Sequence, residues 1–276
     1  MKILIFDLDG TLFYKDQRIS KNAIQKIVSL EEQGYIVGLA TGRFINELDP
    51  FIDVLQLRKY GGFVISCNGG HVYDLQDEVQ HDFPYLKKDL VQKGIEVAIQ
   101  QALIPYVHED TEYRVFSGKA LKSVHTILKN TLFKLDTPLM KAAKHLHLET
   151  QVILKKEQYE KLCVAGPVFK LEAYKKKIQT LFPNTVIYPS GKHAIEVMHP
   201  SVNKYYACLW LMKHRGYSMK DVLFFGDSGN DDLLLKYAGH SIAMKNALPE
   251  TKQAAHEVSA YTNQEDGVYK ELERLI

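Results

Sequence analysis

Short, unbroken apolar runs alternate along this chain with longer stretches of helical spacing. Ile3 to Phe6 is the first such run and ends in a polar cluster. A segment apolar at every position predicts a strand covered on both faces. From Ser20 to Gln33, residues Ile24, Ile27, Val28 and Leu30 fall near one side of a helix, with Ser20 as its N-cap and Gly34 as its stop. A second run, Tyr35 to Ala40, ends in Thr41-Gly42-Arg43. A helix is expected over about 44–56 and a third strand near Phe63 to Ser66. Strand, helix, strand, helix, strand in that order predicts right-handed crossovers and a parallel sheet.

The same grammar returns late, with a helix over 202–213, a strand over 222–225 ending in GDSGND, a helix over 231–237 and a strand over 241–244. Helices over 248–255 and 265–275 close the unit. The middle of the chain reads differently. Helical stretches near 86–101, 121–129 and 169–181 alternate with strands near 104–107, 113–116, 161–165 and 194–198. The expectation is an α/β core made of 1–83 and 200–276, interrupted over 84–199 by an α+β insert with an antiparallel sheet.

At 276 residues the chain is long enough for one large domain or two modest ones. Its net charge of +2 gives no strong case for a nucleic-acid or membrane-surface protein. The charge is unevenly divided, however. The insert carries 18 Lys and Arg against 11 Asp and Glu, and the remainder 17 against 22. Two readings follow: oppositely charged surfaces that attract weakly, or a basic lid drawing an anionic ligand to an acidic floor. The three cysteines, Cys67, Cys163 and Cys208, are far apart and form no CxxC pair. That argues against a disulfide framework and for a reducing compartment. Without a signal-peptide core or a long apolar span, the expected setting is cytoplasmic.

Three polar clusters follow predicted strands: Asp7-Leu8-Asp9-Gly10-Thr11, Thr41-Gly42-Arg43, and Gly226-Asp227-Ser228-Gly229-Asn230-Asp231-Asp232. In an open parallel sheet, ligands bind at the carboxyl ends of the strands, so distant clusters can converge there. Alternation along a strand would put Asp7 and Asp9 on one side. Carboxylates that close repel unless a cation joins them, and Asp227 offers a third. An all-oxygen set of this kind suits Mg²⁺. Asp7 is the best-placed nucleophile, because carboxylates form acyl phosphates. Other chemistries find no support. Neither DLDGT nor DSGNDD continues as an EF-hand, and no phosphate-loop, dinucleotide, GxSxG or HExxH pattern occurs. His145 and His147 lack a third metal ligand in the sequence, Cys67 reads as a buried thiol, and Asn68-Gly69-Gly70 as a hairpin turn with a site-lining role as the lesser option.

These motifs together resemble the haloacid dehalogenase superfamily of phosphohydrolases, and within it the Cof-type, type IIB branch. DLDGTL is similar to its first motif, ATGR to its second and GDSGNDDLLL to its fourth. AMKNALPETKQAA and TNQEDGVYKEL resemble the branch's C-terminal signature. IEVMHPSVNK leads to Lys204, the counterpart of the third-motif lysine, although Tyr205 stands where the branch usually has Gly. The resemblance implies a Rossmann-like core with an inserted cap and a Mg²⁺-dependent phosphatase of small phosphorylated metabolites, most simply sugar phosphates. Asp7 would be the nucleophile and Asp9 the acid and base. Asp7, the Asp9 carbonyl and Asp227 would hold Mg²⁺. The Leu8 and Gly42 amides, Thr41, Lys204 and Asn230 would bind phosphoryl oxygens, with Asp231 orienting Lys204 or metal-bound water. Arg114, Lys119, Lys192 and His193 are the cap residues expected to select the leaving group. Flavin mononucleotide or pyridoxal phosphate hydrolysis, a phosphomutase and a non-catalytic sensor are the alternatives.

Overall fold

The structure is a computed structural model and describes residues 2–109, 112–116, 146–149, 151–191 and 193–276. In chain order, β1 (Ile3–Phe6), α1 (Lys21–Glu32), β2 (Ile36–Ala40), α2 (Asp49–Val54) and β3 (Phe63–Ser66) come first, followed by β4 (His71–Asp74) and β5 (Val79–Asp82). Then come β6 (Leu86–Lys87), α3 (Lys88–Gln100), β7 (Ile104–Glu109), β8 (Glu112–Phe116), β9 (Leu146–Glu149), β10 (Gln158–Tyr159), β11 (Lys161–Ala165), α4 (Val168–Leu181), β12 (Val186–Pro189) and β13 (Ala194–Met198). The last stretch holds α5 (Lys204–His214), β14 (Val222–Gly226), α6 (Asp232–Tyr237), β15 (His240–Ala243), α7 (Pro249–Ala254), β16 (Glu257–Val258) and α8 (Gly267–Leu275). The backbone divides into two compact units, 1–83 with 201–276, and 84–200. Among the described residues, no helix is long and apolar enough to cross a membrane.

The first unit is an eight-stranded sheet in the order β16-β15-β14-β1-β2-β3-β4-β5. It is parallel from β16 to β3 and antiparallel over β4 and β5. The unbroken apolar runs have the cause expected of them. Leu4 and Phe6 face a layer containing Ala23, Ile27 and Leu30 of α1 and Leu272 of α8. Ile3 and Ile5 face Ala207, Cys208 and Leu211 of α5 and Leu234 of α6. Ser20 caps α1 by accepting the Ala23 amide at 3.0 Å, and Gly34 ends it at φ +91°.

Three expectations change. The helix over 44–56 is a single 3₁₀ turn, Ile45–Glu47, followed by α2. Pro50 lies in the first turn of α2, where a missing N–H costs nothing; inside a continuous helix it would break a hydrogen bond. The β4–β5 hairpin was not expected, because Gln80 and His81 break any apolar run on this half-exposed edge strand. The third change concerns the second unit's six-stranded sheet, β12-β13-β11-β7-β8-β9, which is antiparallel except that β8 and β9 run parallel. Its α3 and α4 pack on Val107, Leu162, Val164 and Val197. The helix expected over 121–129 lies outside the described residues.

Candidate active site

The register of the parallel strands aligns the three polar clusters. Phe6 pairs with Leu39 on one side and Phe225 on the other, so Asp7, Thr41 and Asp227 all emerge at the same sheet edge. The Asp7 amide extends the ladder by donating to the Phe225 carbonyl at 3.0 Å, and the Thr41 amide donates to Ile65 at 2.9 Å.

Lys204 ties the cluster together. It is fully buried at the first position of α5, and its Nζ donates to Asp7 Oδ1 and to Asp231 Oδ1, each at 2.7 Å. A cation at a helix N-terminus is disfavoured by the helix dipole, so these two carboxylates carry its placement. Burial works against the charge on Lys204, yet Asp231 and Asp7 overcome it and hold the ammonium above the ordinary lysine range. Tyr205 in the usual glycine position does not disturb the helix start, since Asn203 caps α5 by accepting the Tyr205 amide at 2.7 Å. Asp231 is itself oriented: its Oδ2 accepts the Asp227 and Ser228 amides at 3.0 and 3.1 Å.

One oxygen from each of Asp7, Asp227 and Asp231 lies within 4.8 Å of the others. Burial pushes Asp7 up to about 7, against the pull of Lys204 and with the help of Asp231 and Asp9. Burial, Asp7 and Asp231 push Asp227 well above the ordinary carboxylate range, although Thr11 Oγ1 donates to it at 3.0 Å. Two buried acids resisting ionisation beside a third are the electrostatics that a divalent cation relieves. The loop leaves no slack here. Gly10 sits at φ +82°, and a Cβ on it would lie 2.3 Å from Asp227 Oδ2.

Asp9 is elsewhere. The strand stops at Phe6, so alternation does not extend to residue 9, which has φ −75° and ψ 116° within an irregular turn. Its carboxylate does not join Asp7 and Asp227. It meets Arg43 in a two-point ion pair, Nε to Oδ2 at 2.7 Å and Nη2 to Oδ1 at 2.6 Å. Arg43 in turn lies over the Phe13 ring at 4.9 Å.

On the other flank, Thr41 is buried and its Oγ1 accepts the Arg43 amide at 3.3 Å. Asn230 Nδ2 donates to Asn68 Oδ1 at 2.7 Å, and Ser228 Oγ donates to Asn230 Oδ1 at 2.6 Å. A Cβ on Gly42 would come within 2.9 Å of the same Asn68 oxygen. The hairpin turn thus also lines the site. Asn68, at φ +56°, belongs to it more firmly than its place in Asn-Gly-Gly had implied.

The insert's expected residues fare differently. Arg114 is buried and committed to Glu109 Oε2 at 2.6 Å and Glu149 Oε1 at 2.9 Å. Its guanidinium braces β7, β8 and β9. His193 lies before β13, where its carbonyl accepts the Gly166 amide at 2.9 Å. Lys119, Lys192 and His145 lie outside the described residues, as does the side chain of His147.

Comparison with known proteins gives a consistent answer. The family described as haloacid dehalogenase-like hydrolase matches residues 4–272. An HMP-PP phosphatase of Serratia proteamaculans is 27% identical over 91% of this chain and 86% of its own. A 5-amino-6-(5-phospho-D-ribitylamino)uracil phosphatase of Bacillus subtilis is 28% identical over 100% of this chain and 98% of its own. Among solved structures, a haloacid dehalogenase-like hydrolase from Bacteroides thetaiotaomicron superposes with a TM-score of 0.79, at 24% identity, over 100% of this chain and 99% of the other.

Proposed function

The chain belongs to the haloacid dehalogenase-like hydrolase family and is a phosphatase of that superfamily; from that premise we propose that it hydrolyses small phosphomonoesters, sugar phosphates foremost, through a phosphorylated Asp7. The observation that carries this reading is the Lys204 ammonium, buried between Asp7 and Asp231 with Asp227 alongside. Lys204 neutralises charge where a phosphate dianion would otherwise be repelled, and it fixes the nucleophile's rotamer.

Asp7 attacks phosphorus, forming an acyl phosphate as the ester oxygen departs with a proton from Asp9. Asp9 then takes a proton from water, whose oxygen attacks phosphorus and frees Asp7. Arg43 occupies both carboxylate oxygens of Asp9, so Asp9 releases it to meet the ester oxygen. Thr41, Asn230, Lys204 and the amides of Leu8 and Gly42 orient the phosphoryl oxygens; phosphoryl transfer depends mainly on such positioning and charge neutralisation. Asp7, Asp227 and the Asp9 carbonyl would hold Mg²⁺, which supplies further neutralisation of the phosphoryl charge when bound. The inserted unit, through residues such as His193, is assigned the choice of leaving group. Both named relatives act on small phosphorylated metabolites, which supports the same substrate class here. Three buried cysteines, none in a disulfide, suit a cytoplasmic setting.

The test is phosphate release from p-nitrophenyl phosphate and a panel of phosphorylated metabolites with Mg²⁺. Release that disappears in Asp7→Asn supports the reading. A folded wild-type enzyme inert on the whole panel refutes it.

A further inference from the structure

The segment carrying Asp7 and Asp9 is irregular, and little of its own backbone holds it. Its internal bonds run from the Leu12 amide to Asp7 and from the Phe13 amide to Leu8, at 3.1 and 2.9 Å. Three of its remaining carbonyls are taken by side-chain amides from the far end of the chain. Asn246 Nδ2 donates to the Gly10 carbonyl at 2.8 Å, Asn263 Nδ2 to Phe13 at 2.8 Å and Gln264 Nε2 to Tyr14 at 3.2 Å. The two asparagines are also linked, since Asn246 Oδ1 accepts the Asn263 amide at 2.9 Å. Their support is anchored in turn: the Lys245 amide donates to Tyr261 at 3.0 Å, and Ser20 Oγ donates to Asp266 at 2.7 Å.

We propose that Asn246 and Asn263, within the two C-terminal signature stretches, are positioning residues that hold the turn bearing Asp9 against Asp227. This rests on the phosphatase reading above. Both requirements at residue 246 are met by one short amide: a donor for a carbonyl and an acceptor for an N–H. Aspartate of the same shape keeps the acceptor and loses the donor. The Gly10 carbonyl is the critical contact, because the same residue is pressed against the Asp227 carboxylate without room for a Cβ. A turn released from Asn246 shifts next to both Asp9 and Asp227, and small misplacements of reacting groups are costly.

The experiment compares wild type, Asn246→Asp, Asn246→Ala and Asn263→Ala. It measures kcat and KM on p-nitrophenyl phosphate with Mg²⁺, amide hydrogen exchange peptide by peptide, and the unfolding midpoint. The expected result is a fall in kcat of about tenfold with KM within about twofold. Faster exchange should be confined to peptides covering 8–14, with the midpoint within about 3 °C of wild type. Unchanged kcat overturns the proposal, even with faster local exchange. So does a loss of kcat that only tracks a fall in midpoint and faster exchange throughout the core. Absence of wild-type turnover on any phosphomonoester counts against the phosphatase reading instead; the exchange arm then stands alone, and no rise over 8–14 rejects the clamp.

Discussion

Buried charge is handled in opposite ways in the inserted unit and at the core's candidate site. In the inserted one, charges close on themselves. Arg114 meets Glu109 and Glu149; Glu109 also accepts the Lys155 amide at 3.0 Å and the Tyr159 hydroxyl; Lys161 meets Glu196 at 2.8 Å. In the core, Asp7, Asp227 and Asp231 gather around one ammonium, Lys204. The buried pairs of the insert, Arg114 with Glu109 and Lys161 with Glu196, balance, and the third carboxylate, Glu149, is partly exposed; one ammonium against three clustered carboxylates leaves a surplus that calls for a cation. Balance marks a brace between strands, and surplus marks a place prepared for a ligand.

The sharpest break of this contrast is Asp7→Asn. It removes one surplus charge together with the nucleophile, and phosphate release should fall roughly 10³-fold or more without loss of stability. A rate assay paired with thermal unfolding checks both halves. Next is Lys204→Met, expected to cost roughly 10²-fold in kcat and, by leaving two buried acids without their cation, about 3 kcal/mol in denaturant unfolding. Arg114→Met should cost a comparable ~3 kcal/mol while kcat and KM per folded molecule stay at wild-type values. A raised KM instead would give Arg114 a part in substrate selection.

Glu31 sharpens the comparison from a third direction. It is a buried carboxylate in α1 whose oxygens find no hydrogen-bond partner among the described residues, and burial pushes it up to about 8 despite Lys59 nearby. The folded state therefore holds its proton more tightly than the unfolded chain does. Its stabilising contribution is complete below about 4.5 and is lost as pH rises toward 8. Glu31→Gln should match wild type near pH 4 and gain on the order of 3 kcal/mol by pH 7, at about 1.4 kcal/mol for each unit of displacement. Urea titrations across that range would show a flat difference if the side chain were solvated.

Much of the core is legible in the sequence because its strands are covered on both faces. Ile3–Phe6 is apolar throughout and Phe63–Ser66 up to its last residue, and a polar cluster after such a run has only the sheet edge to occupy. Ser20 and Gly34 mark α1 through purely local chemistry. What escapes is set by contacts distant in sequence or by half-covered surface. Asp9 finds Arg43 across 34 positions and Arg114 finds Glu149 across 35, and no local pattern announces either. Strand β5 alternates between partly covered and exposed positions without an apolar face. Pro50 was a readable break in the expected helix. The amides that hold Gly10 and Phe13 come from more than 230 positions away, although the stretches that carry them had already stood out.

Strand β1 lies directly against β14, with Phe6 opposite Phe225. On the ribosome the second of these is made some 220 residues after the first, about 10–45 s later at 5–20 residues per second. For that interval the nascent chain carries an apolar strand whose one flank awaits a neighbour not yet synthesised. Closure of the central sheet thus waits on the residues in between, and chaperones that shield apolar edges have their longest window of use at the very strand that delivers the nucleophile.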